Sequence, residues 1–461
     1  MKKYIGDKAF YKMVLTVVIP IIIQNGITNF VGMLDNIMVG RVGTEQMSGV
    51  AITNQLLFVF NICVFGAVSG AGIFTAQFFG CKNNKGIRDT FRFKILSCVA
   101  ICALGLLIFG LWGENLVQLY LHGENVEGSL EATLGYAIDY LRIMMLGLIP
   151  FAVVQVYAGT LRECGETMLP MKAGVFAVLV NLVFNYILIY GKFGAPALGV
   201  EGAAIATVIS RFAELLVVMV WTHKHTERFS FMVGAYRSMK IPGNLALNIF
   251  KTGMPLLLNE ALWSAGMAMM MQCYSVRGID VVAGMNISTT ISNLFNVVFI
   301  SMGNAVAIII GQLLGAGKME EAKDSDRKLI FFSVISCVAI GIMLAAVSPF
   351  FPLLYNTTDE VRSLATSFIC VAAACMPLYA CTNSTYFTLR SGGKTIITFF
   401  FDSGFVWGIS IPVAYVLSRY TGMPIVWLYL VCQSLELIKS VIGLALVKKG
   451  VWIENIVKTE E

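Results

Sequence analysis

Charge is what this sequence has least of. Only 13% of its 461 residues are Asp, Glu, Lys or Arg, while 57% are hydrophobic; an ordinary soluble domain carries about 25% charged residues. So little polar surface cannot cover a water-soluble globule. Histidine is scarce too: His122, His223 and His225 all fall in predicted loops, and no HExxH occurs, which leaves a hydrolase without an obvious nucleophile–base pair. The 11 cysteines lie in apolar stretches without CxxC or metal-ligand spacing, so they read as small buried hydrophobes. Gly393-Lys394-Thr395 ends like a phosphate-binding loop, but that motif needs glycine where Thr388 stands. With no second nucleotide motif, ATP-driven pumping is disfavoured.

What the chain has is apolar runs long enough to cross about 30 Å of hydrocarbon. They give twelve expected spans, at 13–38, 47–76, 93–112, 133–158, 168–190, 199–222, 249–275, 281–311, 329–349, 361–388, 395–418 and 423–447. The basic start MKKYIGDKAFYK is followed by no small-residue cleavage site, so the first run reads as a retained helix.

Alternate connections then lie on one side, and the basic residues sort with them. Twenty-six of the 33 Lys and Arg fall on one side, from Lys2, Lys3, Lys82, Arg88, Arg92 and Lys94 to Lys439, Lys448, Lys449 and Lys458. By the positive-inside rule both termini are expected in the cytoplasm of a multi-pass protein of the inner (plasma) membrane. The net charge of +6 is therefore a topology signal, and no nucleic-acid partner is expected.

The chain also resembles itself at an offset of 235 residues. Pro20 matches Pro255, Gln77 and Gly80 match Gln312 and Gly315, and Asp89 and Arg92 match Asp324 and Arg327. After a short deletion, LRECGET (161–167) matches LRSGGKT (389–395). Six spans per repeat is an even number, so both halves begin on the same side. The expected fold is an all-α integral membrane protein with two parallel-repeat six-helix bundles: an N-terminal lobe at 1–222, a cytoplasmic linker at 223–248 and a C-terminal lobe with a short tail at 249–461. Secondary transporters recurrently use such repeats, binding substrate where the halves meet.

An ionisable side chain at the bilayer centre costs roughly 2.5–3.5 kcal/mol on insertion scales, so each one is a functional candidate. Asp35 and Glu260 lie on the first helix of each half; their repeat mates are Met270 and Asn25. Asp402 lies close to the cytoplasmic start of the eleventh span, within reach of water or Lys394. Arg211 and Glu214, three apart, are expected to pair across one helix face. Asn181 and Asn185 stand one turn apart on the fifth span, where amide oxygens can ligate Na⁺ beside a carboxylate or glue helices together.

The segments PIIIQNGITNFVGMLDNIMVGRVG (20–43) and VNLVFNYILIYGKFGAPALGVEGAAIAT (180–207), with the paired LRECGET and LRSGGKT, resemble the MATE multidrug and toxic-compound extrusion transporters over essentially the whole chain. The resemblance implies a V-shaped pair of bundles, alternating access, and export of cationic or amphiphilic molecules against inward H⁺ or Na⁺, with no other cofactor. It matches Asp35, Asn181 and Thr207 to the cation site of the first lobe and Glu260 to a seventh-helix acid of one branch. Two departures stand out: Asn185 replaces an Asp found in many members, and Tyr379 stands where that branch carries a tenth-helix acid, so Asp402 would have to substitute. Na⁺ at Asp35, Asn181 and Asn185 is the expected metal. A monomer among membrane lipids is expected, and an enzyme is not. The rival readings are a flippase for lipid-linked saccharide or another amphiphile, a channel, and a membrane-embedded enzyme.

Overall fold

The computed structural model describes residues 4–120 and 130–457, less the side chains of Asn36, Ile37, Thr44 and Tyr120. His122, Lys2, Lys3 and Lys458 lie outside the described residues. Lipid offers no partner for a backbone amide, so a spanning segment must satisfy its own hydrogen bonds. The chain obeys: among the described residues it is helical, with no strand.

The first half comprises α1 (Lys8–Gly40), α2 (Thr44–Gly80), α3 (Asn84–Tyr120), α4 (Leu130–Leu146), α5 (Leu148–Glu163), α6 (Met168–Tyr190) and α7 (Gly199–Lys224). The second comprises α8 (Gly243–Ser275), α9 (Ile279–Gly315), α10 (Met319–Val347), α11 (Asp359–Ser391), α12 (Thr395–Phe399), α13 (Ile411–Tyr420) and α14 (Ile425–Lys449). Two π-helical turns, Phe400–Gly404 and Val406–Ser410, join α12 to α13 in one continuous span. Ten described helices are long and apolar enough to cross a membrane, and the bent pair α4–α5 makes an eleventh. α8 stands at the expected seventh span; its 33 residues include Lys251, Asn259 and Glu260, which dilute its apolar run.

Three details differ from the sequence reading. The single fourth span, 133–158, is α4 and α5 meeting at 47° around Gly147. Pro150 has no N–H to donate back to the end of α4, which leaves the helix free to break there. His223 belongs to the last turn of α7 rather than a loop, and its ring bonds Tyr157 at 3.1 Å. Lys94 and Lys439, counted among the loop cations, are buried inside α3 and α14.

Contacts divide the chain into two compact units, one of Met1–Ile22, Ala76–Lys82 and Lys251–Glu461, the other of Ile23–Thr75 and Asn83–Phe250. In the first, α11 packs along α9, α10 and α14. Its core gathers Met302, Val306, Leu314, Phe401 and the tail residue Trp452. In the second, α6 lies along α7, with α4 and α5 also on α7 and α3 against both of them. The segment after α7 folds onto this unit: Arg88 and Arg92 donate to the carbonyls of Phe231 and Ala235 at 3.0 and 2.9 Å. Arg228 pairs with Glu166 at 2.7 Å.

Candidate functional site

The second unit assembles a carboxylate with two amides. Asp35, in the last third of α1, faces α6. There Asn181 and Asn185 are one turn apart on the same face and buried, at 6% and 1% exposure. Asn185 Nδ2 donates to Asp35 Oδ1 at 2.7 Å. Asn181, with its amide turned to satisfy its neighbours, donates to both Asp35 oxygens at 3.1 and 3.0 Å and accepts from Thr207 Oγ1 of α7 at 3.3 Å. The Ala203 carbonyl, 3.0 Å from Thr207 Oγ1, is the alternative acceptor for that single hydroxyl proton. The four residues Asp35, Asn181, Asn185 and Thr207 thus form one cluster drawn from three helices.

Two features set its chemistry. Among the described residues, no basic side chain lies within 4 Å of Asp35, so neutral amide donors alone solvate the carboxylate. Asn185 Oδ1 is buried without a hydrogen-bond partner. An unmet buried acceptor is costly, by about 1–3 kcal/mol, and it belongs to the amide that donates to the acid. A cation or a donated proton would meet it.

The first unit holds a different arrangement. Asp402 lies in the first π turn, a widened helical turn of a kind frequent at functional sites. Its Oδ1 accepts from Lys439 of α14 at 2.6 Å and its Oδ2 from Asn259 of α8 at 3.0 Å. Asn259 Oδ1 accepts from the backbone N–H and hydroxyl of Ser403 at 3.2 and 2.7 Å. Lys439 also lies 3.7 Å from Glu436 and 5.7 Å from the Phe401 ring centroid. Glu260, next to Asn259 on α8, lies within electrostatic reach of Arg390 and Asp402. Lys394, the partner anticipated for Asp402, pairs instead with Glu454.

Not every anticipated residue joins these clusters. Tyr379 donates to Gln433 at 2.7 Å and stacks near Phe299; the tyrosine beside Asn259 is Tyr386, whose hydroxyl accepts from it at 3.4 Å. Arg211 makes no ion pair with Glu214. It donates to the Gly147 carbonyl at 3.1 Å and lies 5.0 Å over the Phe151 ring, bracing the α4–α5 break. In the sequence Lys439 counts as a loop cation and Glu436 is not singled out, although the two stand three apart inside the expected twelfth span, the same spacing that singles out Arg211 and Glu214. Among the described residues no group of three or more His, Cys, Asp or Glu could hold a metal ion.

A family model, MatE, matches the chain twice, over residues 20–187 and 255–416. The two matches begin at Pro20 and Pro255, the same offset of 235 residues that the internal duplication shows. The chain belongs to the MatE family. Its relatives include "Probable multidrug resistance protein NorM" of Thermotoga maritima, 24% identical over 98% of this chain and 95% of that protein. Multidrug resistance protein MdtK of Yersinia enterocolitica is 27% identical over 91% of this chain and 89% of that one. Among solved structures, the MATE transporter VcmN of Vibrio cholerae shares the fold with a TM-score of 0.87, at 15% identity and 99% coverage of both chains. This MatE chain is therefore an integral membrane protein of a family of transporters rather than enzymes, and its twelve spans take the MATE fold.

Proposed function

We propose that this MatE protein is a secondary active exporter, exchanging inward H⁺ or Na⁺ for outward movement of small cationic or amphiphilic molecules by alternating access. It sits in the inner (plasma) membrane as a monomer with both termini in the cytoplasm. The observation that carries this reading is Asp35, a membrane-embedded carboxylate held by two amides and, among the described residues, by no base.

Such a carboxylate has two ways of losing its charge. A proton on one oxygen turns the group into a donor, and Asn185 Oδ1, on the neighbouring amide, is a buried acceptor without a partner. Alternatively Na⁺ could be ligated by Asp35, by Asn185 Oδ1 and by the Thr207 hydroxyl, a hard-oxygen set. Either event removes the negative potential that attracts a cationic molecule, so ion and cargo compete without touching. The relatives' names, multidrug resistance proteins, fit cargo of this kind. A flippase for a lipid-linked saccharide would call for free cations to hold phosphate, and Arg211 is already spent on Gly147 and Phe151.

The test is ethidium efflux from proteoliposomes under an imposed pH or Na⁺ gradient. One gradient should stimulate efflux, and Asp35→Asn should abolish the stimulation in a protein that still runs as a folded monomer. Full gradient-driven efflux by Asp35→Asn would defeat the reading.

A further inference from the structure

We propose that Lys439 is a tethered counter-ion: its ammonium holds, on Asp402 and Glu436, the place a mobile coupling cation would take, so Asp402 exchanges no ion. The inference rests on the export reading and assigns the coupling chemistry within it.

The geometry is that of an occupied cation site. Lys439 is 4% exposed, and its Nζ lies 2.6 Å from Asp402, 3.7 Å from Glu436 and 5.7 Å from the Phe401 ring centroid. Two carboxylates and an aromatic face thus surround one ammonium, a compact point charge on a flexible stem. The second oxygen of Asp402 accepts from Asn259, so each oxygen already has a protein donor. The other charged groups facing the cluster are Glu260 and Arg390, which lie within reach of each other, and the Tyr386 hydroxyl sits beside Asn259. The contrast with Asp35 is direct: one carboxylate has a built-in cation, the other has amides only.

Arg211 of α7 and Lys439 of α14 are both cations within the last long helix of their repeats, but they turn to different partners. In α7 the arginine turns away to Gly147, whereas in α14 the lysine turns into the carboxylates.

Removing one partner of a buried pair leaves the other charge uncompensated, which makes the inference readable without any transport assay. Purified full-length Lys439→Met is compared with wild type by thermal unfolding at pH 8, in NaCl and in choline chloride of equal ionic strength. A ligand that binds only the folded state raises Tm by mass action, so saturating Na⁺ should raise the Tm of Lys439→Met by about 5 °C more than it raises that of wild type, each over choline. Adding Asp402→Asn to that variant should remove this excess, and Lys439→Arg should behave as wild type. In the otherwise wild-type protein, Asp402→Asn should leave the stoichiometry of ²²Na⁺ binding unchanged, a measurement that stands even where Lys439→Met fails to fold. A Na⁺-induced rise in Tm no larger for Lys439→Met than for wild type would overturn the proposal. So would a wild-type Na⁺ site lost with Asp402→Asn. Failure of gradient-driven ethidium efflux in wild type, with these binding results intact, would count against the export reading alone.

Discussion

Gly80 and Gly315, equivalent positions of the two repeats, each press against the backbone of the other's helix. A Cβ on Gly80 would lie 2.0 Å from the Gln312 carbonyl oxygen, and one on Gly315 would lie 1.9 Å from that of Gln77. Gln77 and Gln312 are themselves repeat mates, so the contact is reciprocal: the end of α2 and the end of α9 cross where neither has a side chain. The duplicated Gln–x–x–Gly thus pairs with its own copy.

That reciprocity predicts matched damage. Gly80→Val and Gly315→Val should each force the crossing apart and lower Tm by similar amounts, at the upper end of the roughly 1–3 kcal/mol typical of overpacking or beyond it. Gly135→Ala in α4, whose added Cβ would meet nothing within 4 Å, should be neutral or slightly stabilising. Thermal unfolding of the three purified variants checks this.

The tail after α14 is strapped to the same crossing. Gln77 Nε2 donates to the carbonyls of Ser391 and Glu454 at 3.0 and 3.2 Å, and its Oε1 accepts from the Ile456 N–H at 2.9 Å. Asn455 donates to the Gly315 carbonyl at 3.2 Å. Gln77→Ala should therefore destabilise by about 1–3 kcal/mol, since buried partners lose their bonds. Hydrogen exchange at residues 453–457 should quicken in this variant while α6 and α7 keep their protection.

Lys94, fully buried in α3, pairs with Glu163 and donates to Thr160 Oγ1 at 3.1 Å. Lys94→Met should cost about 3–5 kcal/mol by stranding the carboxylate. Adding Glu163→Gln should recover most of it, and a double-mutant cycle in urea or by Tm measures the coupling.

Asn185→Asp would put a second acid where an unpartnered amide oxygen now sits against Asp35. Two carboxylates sharing one site attract a cation more strongly than one, so the cation concentration for half-maximal efflux should fall about tenfold or more, given an added opposite-charge contact worth at least about 1.4 kcal/mol. The readout is ethidium efflux titrated with Na⁺ and with pH.

If Asp35 alone exchanges an ion, as the proposed function has it, exchange of one H⁺ or Na⁺ for one monovalent cation moves no net charge. Membrane voltage, worth about 2.3 kcal/mol per charge per 100 mV, should then leave ethidium efflux unchanged when a potassium–valinomycin potential is imposed. A voltage-stimulated rate would require a second ion.

The twelve spans, the duplication at 235 residues and the acids at Asp35, Glu260 and Asp402 were legible from the sequence, because hydrophobic length and an ion in lipid are properties of a local stretch. Partnership was not. Asp35 meets Asn185 from 150 positions away and Asp402 meets Asn259 from 143. Lys439 looked like one more loop cation until α14 turned it inward against Asp402. Composition and periodicity decide which segments enter the membrane, since transfer from water depends on what a segment contains. Which carboxylate keeps a mobile ion depends on distances between helices, and only their packing sets those.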